Sequence, residues 1–190
     1  SRLSTMMSRR LGICSWSLRP EDPIELVAST QECDICCVQL ALVPVLEDLR
    51  WSDTAMRLND AGVEILSGML ETVGEDYSSL ASIAKTGGVR LDGSWPATWE
   101  RAKGVARIAS EMKLPLVTMH AGFLPEAQGA ERSTMIDRLR QLGDLFGASG
   151  IDLAFETGQE TGDVLVEALL LRVIPRVAGA AVAMRPVPTE

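Results

Sequence analysis

Short β-rich runs alternate with segments of helical periodicity along most of the 190-residue chain. The β-rich runs are almost continuously apolar, which is typical of strands buried on both faces of a parallel sheet. The segments between them repeat apolar side chains at helical spacing, and several begin at Pro or at a capping residue. Such units predict a parallel sheet with helices packed outside it and right-handed crossovers. We predict strands at 11–15, 34–42, 63–70, 114–120 and 151–156, and helices at 23–32, 53–59, 76–84, 96–112, 130–146 and 163–171.

A sheet of this kind either stays open, as in dinucleotide-binding folds, or closes into a barrel. The dinucleotide fold needs a loop of the form G-x-G-x-x-G after its first strand. The run Cys14-Ser-Trp-Ser-Leu-Arg19 contains no glycine. The absence of such a loop counts against the dinucleotide fold. The alternative is an α/β fold of the parallel (β/α) TIM-barrel type, which would be incomplete with the about five βα units predicted here. We expect this domain at 11–170, with an N-terminal extension at 1–10 and an atypical tail at 171–190.

The charge balance limits the classes of partner. The net charge is −8 and the isoelectric point is near 4.8, which argues against a broad basic surface for nucleic acid. Residues 1–10 lack the apolar run of a secretory signal, and no late apolar run approaches the roughly 20 residues of a membrane helix. We therefore expect a cytoplasmic protein that binds neither nucleic acid nor membranes.

The chain has four cysteines, at positions 14, 33, 36 and 37. Cys33 and Cys36 have the C-x-x-C spacing of a redox pair or of half a zinc site. A structural zinc ion takes about four ligands, and only Cys37 and one distant histidine could complete that set. We favour buried thiols where a helix meets a strand.

Two polar residues end the fourth and fifth predicted strands, where parallel α/β folds bind their ligands. His120, the only histidine, could bind a metal, hydrogen-bond a sugar hydroxyl or shuttle a proton. Glu156 ends an apolar strand, and burying a carboxylate there is costly unless it is paired or bound to a metal. It could also act as a base beside a carbonyl. The structural alternatives are a capped histidine and a carboxylate that accepts backbone N–H bonds at the next helix start.

Other polar and aromatic residues are predicted at the same end of the sheet. We expect substrate contacts from Trp16, Gln39, Glu71 and Gln159. Trp16 and Trp95 could each form an apolar wall under a sugar ring, although packing is an equal alternative. Arg90 could clamp a phosphate, but a solvated arginine is the simpler interpretation. Ser15 and Ser67 also lie at strand ends, and Glu160 fits the first turn of the following helix.

Several runs, in order along the chain, resemble the sugar phosphate isomerase/epimerase family, which has the xylose isomerase-like TIM barrel. They are Val38-Gln-Leu-Ala-Leu42, Glu64-Ile-Leu-Ser-Gly-Met69, Gly74-Glu-Asp-Tyr77, Leu116-Val-Thr-Met-His-Ala-Gly-Phe123 and Phe155-Glu-Thr-Gly-Gln-Glu160. The resemblance implies a sugar or sugar phosphate substrate and a divalent ion (Mn, Mg, Co or Zn) that polarises its carbonyl. One glutamate then removes a proton beside the carbonyl and a second returns it. Glu156 matches the glutamate that serves as metal ligand and acid/base, and His120 matches a histidine that lines the pocket.

The chain departs from the family after Leu170. The family's remaining ligands are an aspartate in an Asn-Phe-Asp-Pro type motif, a histidine near a Lys-Asp pair and a final glutamate, and no matching run occurs here. Residues 171–190 hold three arginines and one glutamate, a net of +2, which leaves −10 for 1–170. Eight units need roughly 250 residues. We hypothesise that the chain is truncated by a frameshift near Leu170, and we expect it to be inactive and to bind metal weakly. An open sheet would expose an edge and an apolar barrel face and so favour homo-oligomers.

Two other functions compete with the isomerase or epimerase prediction. The first is a non-catalytic sugar-binding or interaction module that uses the pocket around Trp16, Gln39 and His120. The second is an apurinic endonuclease relative, whose zinc cluster needs several histidines. The single histidine and the acidic charge balance both count against this second function.

Overall fold

The computed structural model describes residues 11–125 and 127–156. Strands and helices alternate in the order β1 Ile13–Cys14, α1 Ser15–Leu18, α2 Pro23–Glu32, β2 Cys37–Ala41, α3 Leu42–Glu47, α4 Thr54–Asp60, β3 Glu64–Leu70, α5 Leu80–Thr86, α6 Trp95–Glu111, β4 Leu116–His120, α7 Ala130–Ala148 and β5 Asp152–Glu156. A single 3-10 turn at Leu49–Trp51 connects α3 to α4.

The five strands form one parallel sheet in the order β1-β2-β3-β4-β5. Every neighbouring pair is parallel, and the pairing of β2 with β3 shifts between Val38 and Gln39. The sheet does not close on itself within the described residues. The predicted α/β architecture of an incomplete parallel barrel is therefore confirmed.

The helix limits follow from local capping chemistry. Asp22 precedes α2 and accepts hydrogen bonds from the backbone N–H groups of Ile24 and Glu25, while Pro23 occupies the first helical position. Both features satisfy or avoid the unpaired N–H groups of a first turn. Ser79 caps α5 through the N–H of Ser82 in the same way. This helix begins later than the predicted start at residue 76.

One core fills the space between the sheet and the helices. Side chains alternate across a strand, and one set from each of three strands is buried against the helices: Val38, Leu40, Val117, Met119, Leu153 and Phe155. Helix α6 contributes the predicted stripe of Ala102, Val105, Ala106 and Ala109. Helix α7 adds Met135, Ile136, Leu139 and Leu142, again as predicted.

The opposite face of the sheet differs from the expectation of an apolar barrel face. It carries Gln39, Thr118 and Glu156, which are joined by hydrogen bonds. The large apolar side chains that are exposed in the described residues lie on helices, turns and loops rather than on strands: Leu11, Trp16, Ile24, Leu49, Met56, Tyr77 and Leu80. Homo-oligomerisation stays a prediction that rests on the open edges alone.

Several other expectations were wrong or lie outside the described residues. Helices α1 and α3 were not predicted, and the strand predicted at 34–42 is shorter at both ends: β2 begins at Cys37, and α3 begins at Leu42. Cys33 and Cys36 are exposed, not buried, whereas Cys37 is buried and Cys14 is half-buried. The predicted helix at 163–171, the extension at 1–10 and the tail at 171–190 lie outside the described residues. No helix in the described part is long and apolar enough to cross a membrane.

Candidate active site

The two strand-end residues singled out in the sequence are neighbours. His120 and Glu156 are the last register pair of β4 and β5, and the N–H of Ala121 donates to the carbonyl oxygen of Glu156 at 2.9 Å. Parallel pairing places the carboxyl ends of both strands at one edge of the sheet. The structure thus brings both predicted catalytic residues to the edge where α/β folds bind ligands.

A chain of hydrogen bonds holds the Glu156 carboxylate. The Gln39 side-chain amide donates to the Thr118 hydroxyl at 2.8 Å, and that hydroxyl donates to Glu156 Oε1 at 3.3 Å. Thr118 is only 4% exposed, so its single hydroxyl proton is committed to the carboxylate once the oxygen accepts from Gln39. Gln39, predicted as a substrate contact, therefore also orients Glu156 through Thr118.

The sequence analysis did not single out Thr118. It lies two residues before His120, and side chains two apart on a strand share a face. That spacing was the available signal.

The His120 ring lies in a close-packed cage. Its centroid is 6.3 Å from that of Tyr77 and 6.0 Å from that of Phe123. A carboxylate, Glu75 Oε1, lies 3.7 Å from His120 Nδ1. The His120 side chain is 11% exposed, so most of the ring is fixed by protein atoms and a small part faces solvent.

Glu75 is a site residue that the sequence analysis missed. Its side chain is 2% exposed, and it accepts backbone hydrogen bonds from Thr72 at 3.1 Å and from Gly88 at 2.8 Å. It belongs to the run Gly74-Glu-Asp-Tyr77, which was noticed for its resemblance and not for its chemistry. Nothing local in a polar loop indicates that this carboxylate, and not Glu71, turns inward.

Tyr77 connects the histidine to the first strand end. Its ring is 6.3 Å from that of Trp16. Burial of the phenol, and then the charges of Glu75, Glu156 and Glu71, raise the pKa of Tyr77 far above its ordinary value. The phenol therefore stays protonated and can donate a hydrogen bond. Tyr77 is a second residue that the sequence analysis missed.

Cys14, on β1, lies beside the hydrogen-bond chain that leads from Gln39 to Glu156. It is the register partner of Gln39 on β2. Burial is the main cause that raises the pKa of its thiol, and the Glu156 charge adds to the rise. A thiol with a raised pKa is a weak nucleophile at neutral pH, so its place here is one of packing.

A pocket of about 270 Å³ opens beside this cluster, at the ends of the first three strands. Among its lining residues are two of the predicted substrate contacts, Trp16 and Glu71, with Ser15, Arg19 and Trp51. Burial raises the pKa of Glu71, and the positive charge of Arg101 offsets part of that rise. Gln39 lies with Glu156 instead. The predicted substrate contacts therefore divide between this pocket and the strand-end cluster, with Tyr77 between them.

The remaining residues singled out in the sequence have structural partners. Trp95 packs against Trp99 at 5.8 Å, with the Arg138 guanidinium 5.3 Å above its ring. Arg90 pairs with Glu131 at 2.7 Å and donates to two backbone carbonyls, and its side chain is 28% exposed. The Ser15 hydroxyl accepts from the backbone N–H of Ala41 at 2.9 Å, and Ser67 is buried within β3. Gln159 and Glu160 lie outside the described residues.

The described residues do not form a complete metal site. Within 11–125 and 127–156, no group of three or more His, Cys, Asp or Glu side chains could together hold an ion. Glu156 supplies a carboxylate of the kind that hard divalent ions prefer. The other donors of a full coordination shell would have to come from elsewhere.

No protein-family model matches the chain, and no curated protein matches it. The fold does recur in solved structures of low identity. A xylose isomerase domain protein from Planctomyces limnophilus is 20% identical with a TM-score of 0.72, over 88% of this chain and 60% of that one. A probable 3-DHS dehydratase, AsbF from Bacillus anthracis, is 17% identical with a TM-score of 0.64, over 88% and 61%.

A xylose isomerase-like TIM barrel protein from Mycobacterium smegmatis, solved in complex with magnesium, is 13% identical with a TM-score of 0.61. That alignment covers 90% of this chain and 65% of the other. The chain thus spans less than two thirds of the length of each of these three proteins. The chain therefore has the fold of the xylose isomerase-like TIM barrels, as the motif resemblance predicted, and its described residues form an unclosed sheet of five parallel strands.

Proposed function

We propose that this protein is a sugar or sugar phosphate isomerase/epimerase-like protein, in which Glu156 moves a proton on the carbon next to the substrate carbonyl. The observation that carries the proposal is the placement of Glu156 at the carboxyl end of β5, oriented by the buried Thr118 hydroxyl and beside His120. A general base must be held within hydrogen-bond reach of the proton that it removes. Thr118 provides that orientation and leaves the second carboxylate oxygen for the substrate.

The other residues of the cluster have binding roles in this proposal. Trp16 and Tyr77 form an apolar wall against which the C–H face of a sugar packs. His120 accepts or donates a hydrogen bond at its exposed edge. Glu71 and Gln39 contact hydroxyl groups, and we retain Gln159 as a further contact by its position after β5 in the sequence.

A divalent ion is part of the proposal through the family resemblance and through the magnesium complex of one protein with the same fold. Such an ion, when bound, polarises a carbonyl oxygen. Glu156 would be its ligand from this chain, as Mn, Mg, Co or Zn each accept a carboxylate. Because the described residues offer no group of three donors, we expect weak binding. Calorimetric titration with Mn²⁺ tests this, and a submicromolar dissociation constant would contradict it.

Proton exchange with solvent tests the function directly. The 190-residue chain is incubated in D₂O with diamagnetic Mg²⁺ and a panel of ketoses, aldoses and their phosphates, and the ¹H signal of the carbon next to the carbonyl is followed by NMR. The proposal expects that signal to disappear with at least one sugar, because the proton taken by Glu156 is replaced by deuterium before it returns.

Glu156→Gln should abolish the exchange, since an amide is not a base. Glu32→Gln, on the exposed end of α2, is the matched control with the same loss of charge and should exchange like the unmodified chain. Exchange that persists in Glu156→Gln would refute the role of this residue. Sugar binding without any exchange would instead favour the non-catalytic binding module.

A further inference from the structure

One buried carboxylate, that of Glu75, joins the start of the loop after β3 to the turn that follows α5. Glu75 Oε2 accepts from the N–H of Thr72, near the start of the loop, and Oε1 accepts from the N–H of Gly88, after α5. The Thr72 hydroxyl donates to the carbonyl oxygen of Gly88 at 2.9 Å and ties the same two positions together. A carboxylate this deeply buried needs such hydrogen-bond donors, and the two backbone N–H groups hold it in one position.

The carboxylate faces a ring nitrogen that lacks a partner. His120 Nδ1 is buried and has no hydrogen-bond partner within 11–125 and 127–156, and Glu75 Oε1 lies 3.7 Å from it. That separation is longer than a hydrogen bond. Hydrogen bonds between catalytic groups are often long in ligand-free structures and shorten when a substrate binds.

Packing leaves the ring little freedom to turn away from Glu75. A Cβ atom at Gly87 would lie 2.8 Å from His120 Cε1 and 2.9 Å from Nδ1, so the glycine backbone forms the floor under this edge of the ring. Tyr77 and Phe123 flank the ring.

We propose that Glu75 is the positioning residue of His120: it holds the ring proton on Nδ1, so that Nε2 is left unprotonated as a hydrogen-bond acceptor at the mouth of the site. A carboxylate can only accept, and it therefore favours the ring form that carries its proton on the facing nitrogen. The role in substrate binding rests on the proposed function, whereas the ring form does not.

This arrangement narrows what His120 can recognise. An unprotonated Nε2 accepts a hydrogen bond and donates none, so the group that meets it must be a donor. A sugar hydroxyl satisfies that requirement, whereas a phosphate or carboxylate oxygen would face an acceptor and be disfavoured. We infer that His120 contacts a hydroxyl of the substrate, and that any phosphate is bound elsewhere.

The single histidine of the chain makes the test direct. A tag-free chain labelled with ¹⁵N-histidine gives one pair of ring nitrogen signals, and long-range ¹H–¹⁵N correlation at pH 8 shows which nitrogen carries the proton. We expect the Nδ1–H form to predominate. A ring protonated on Nε2 alone, or on both nitrogens, would overturn the proposal without the need for any variant.

Two variants then separate positioning from packing. Glu75→Gln keeps the shape but removes the charge that favours Nδ1–H, and the Nδ1–H fraction should fall. Asp76→Asn removes an exposed carboxylate from the same loop, and the fraction should stay as in the unmodified chain. An unchanged ring form in folded Glu75→Gln would refute the role of Glu75. Because none of these readings uses turnover, they stand or fall apart from the isomerase or epimerase proposal.

Discussion

Replacement of Gly88 by alanine should destabilise the fold far more than the same change at another left-handed glycine. Gly88 has φ +65°, and an added Cβ would lie 2.1 Å from the backbone atoms Ala121 C and Gly122 N. Gly62 has a similar φ of +72°, but no atom lies within 4 Å of its added Cβ. The two glycines therefore share the backbone strain and differ only in the close contact.

The expected magnitudes follow from that difference. Left-handed backbone costs a non-glycine residue about 1–2 kcal/mol, and the reduced entropy of the unfolded chain returns about 0.4–1 kcal/mol. Gly62→Ala should therefore cost at most about 1.5 kcal/mol. Overpacking adds about 1–3 kcal/mol, and we expect its upper half at Gly88 because backbone atoms cannot rotate away. Gly88→Ala should thus lose about 2–4 kcal/mol.

Equilibrium unfolding in urea measures both losses, with the fluorescence of the four tryptophans as the signal. The slope of the free energy of unfolding against urea should stay constant, so that the shift in midpoint reports stability alone. A loss in Gly88→Ala no larger than that in Gly62→Ala would refute the close packing of this turn against the end of β4. The ring form of His120 should change in Gly88→Ala and remain unchanged in Gly62→Ala.

Four further outcomes are expected. Thr118→Val keeps the shape of the side chain but removes the hydroxyl between Gln39 and Glu156. The free energy of unfolding in urea should fall by about 0.5–1.5 kcal/mol, and any proton exchange should become slower. Unchanged stability and unchanged exchange would contradict the hydrogen-bond chain. Burial raises the pKa of Glu71 above 4.5, so its ionisation weakens the fold as the pH rises through this range. Glu71→Gln should therefore gain stability relative to the unmodified chain between pH 4 and pH 7, and a relative loss would contradict the burial. Arg50 lowers the pKa of Asp48 below 3.8, so the charge of Asp48 stabilises the fold above this range and is lost as the pH falls through it. Asp48→Asn should therefore be less stable than the unmodified chain at neutral pH, and the difference should shrink as the pH falls. Analytical ultracentrifugation should show self-association of the whole chain, and a monomer at all concentrations would contradict this.

The strands and long helices could be predicted because their signal is local and repeated. The stripe on α6 and the apolar face of α7 both follow from helical spacing. The short helices α1 and α3 could not, because one follows the strand residue Cys14 directly and the other begins inside an apolar run that reads as a longer β2. Contact with β2 and α6 stabilises α1 and α3 respectively, and such contacts between distant residues leave no local pattern.

The residues of the candidate site differ in the same way: those with a local signal could be predicted, and those that depend on distant contacts could not. His120 and Glu156 were predictable because each polar residue ends an apolar strand, and a parallel sheet brings such ends together. Glu75 was not, because its burial depends on a backbone N–H thirteen residues later, at Gly88. The exposed Cys33 and Cys36 were misjudged for a related reason: an apolar type of residue at a helix end does not reveal which way the chain then turns.

The order of the strands in the sheet equals their order in the chain, and this has a consequence for how the protein forms. Each strand pairs only with the strand made just before it and the strand made just after it, so no described pairing must wait for a distant segment. The paired residues are separated by one βα unit, from 25 residues between Ile13 and Val38 to 49 between Gly68 and Val117, and the entropy cost of closing such a loop grows only slowly with its length. During synthesis on the ribosome, the sheet can grow one strand at a time from its N-terminal edge, each new helix covering the strands already paired.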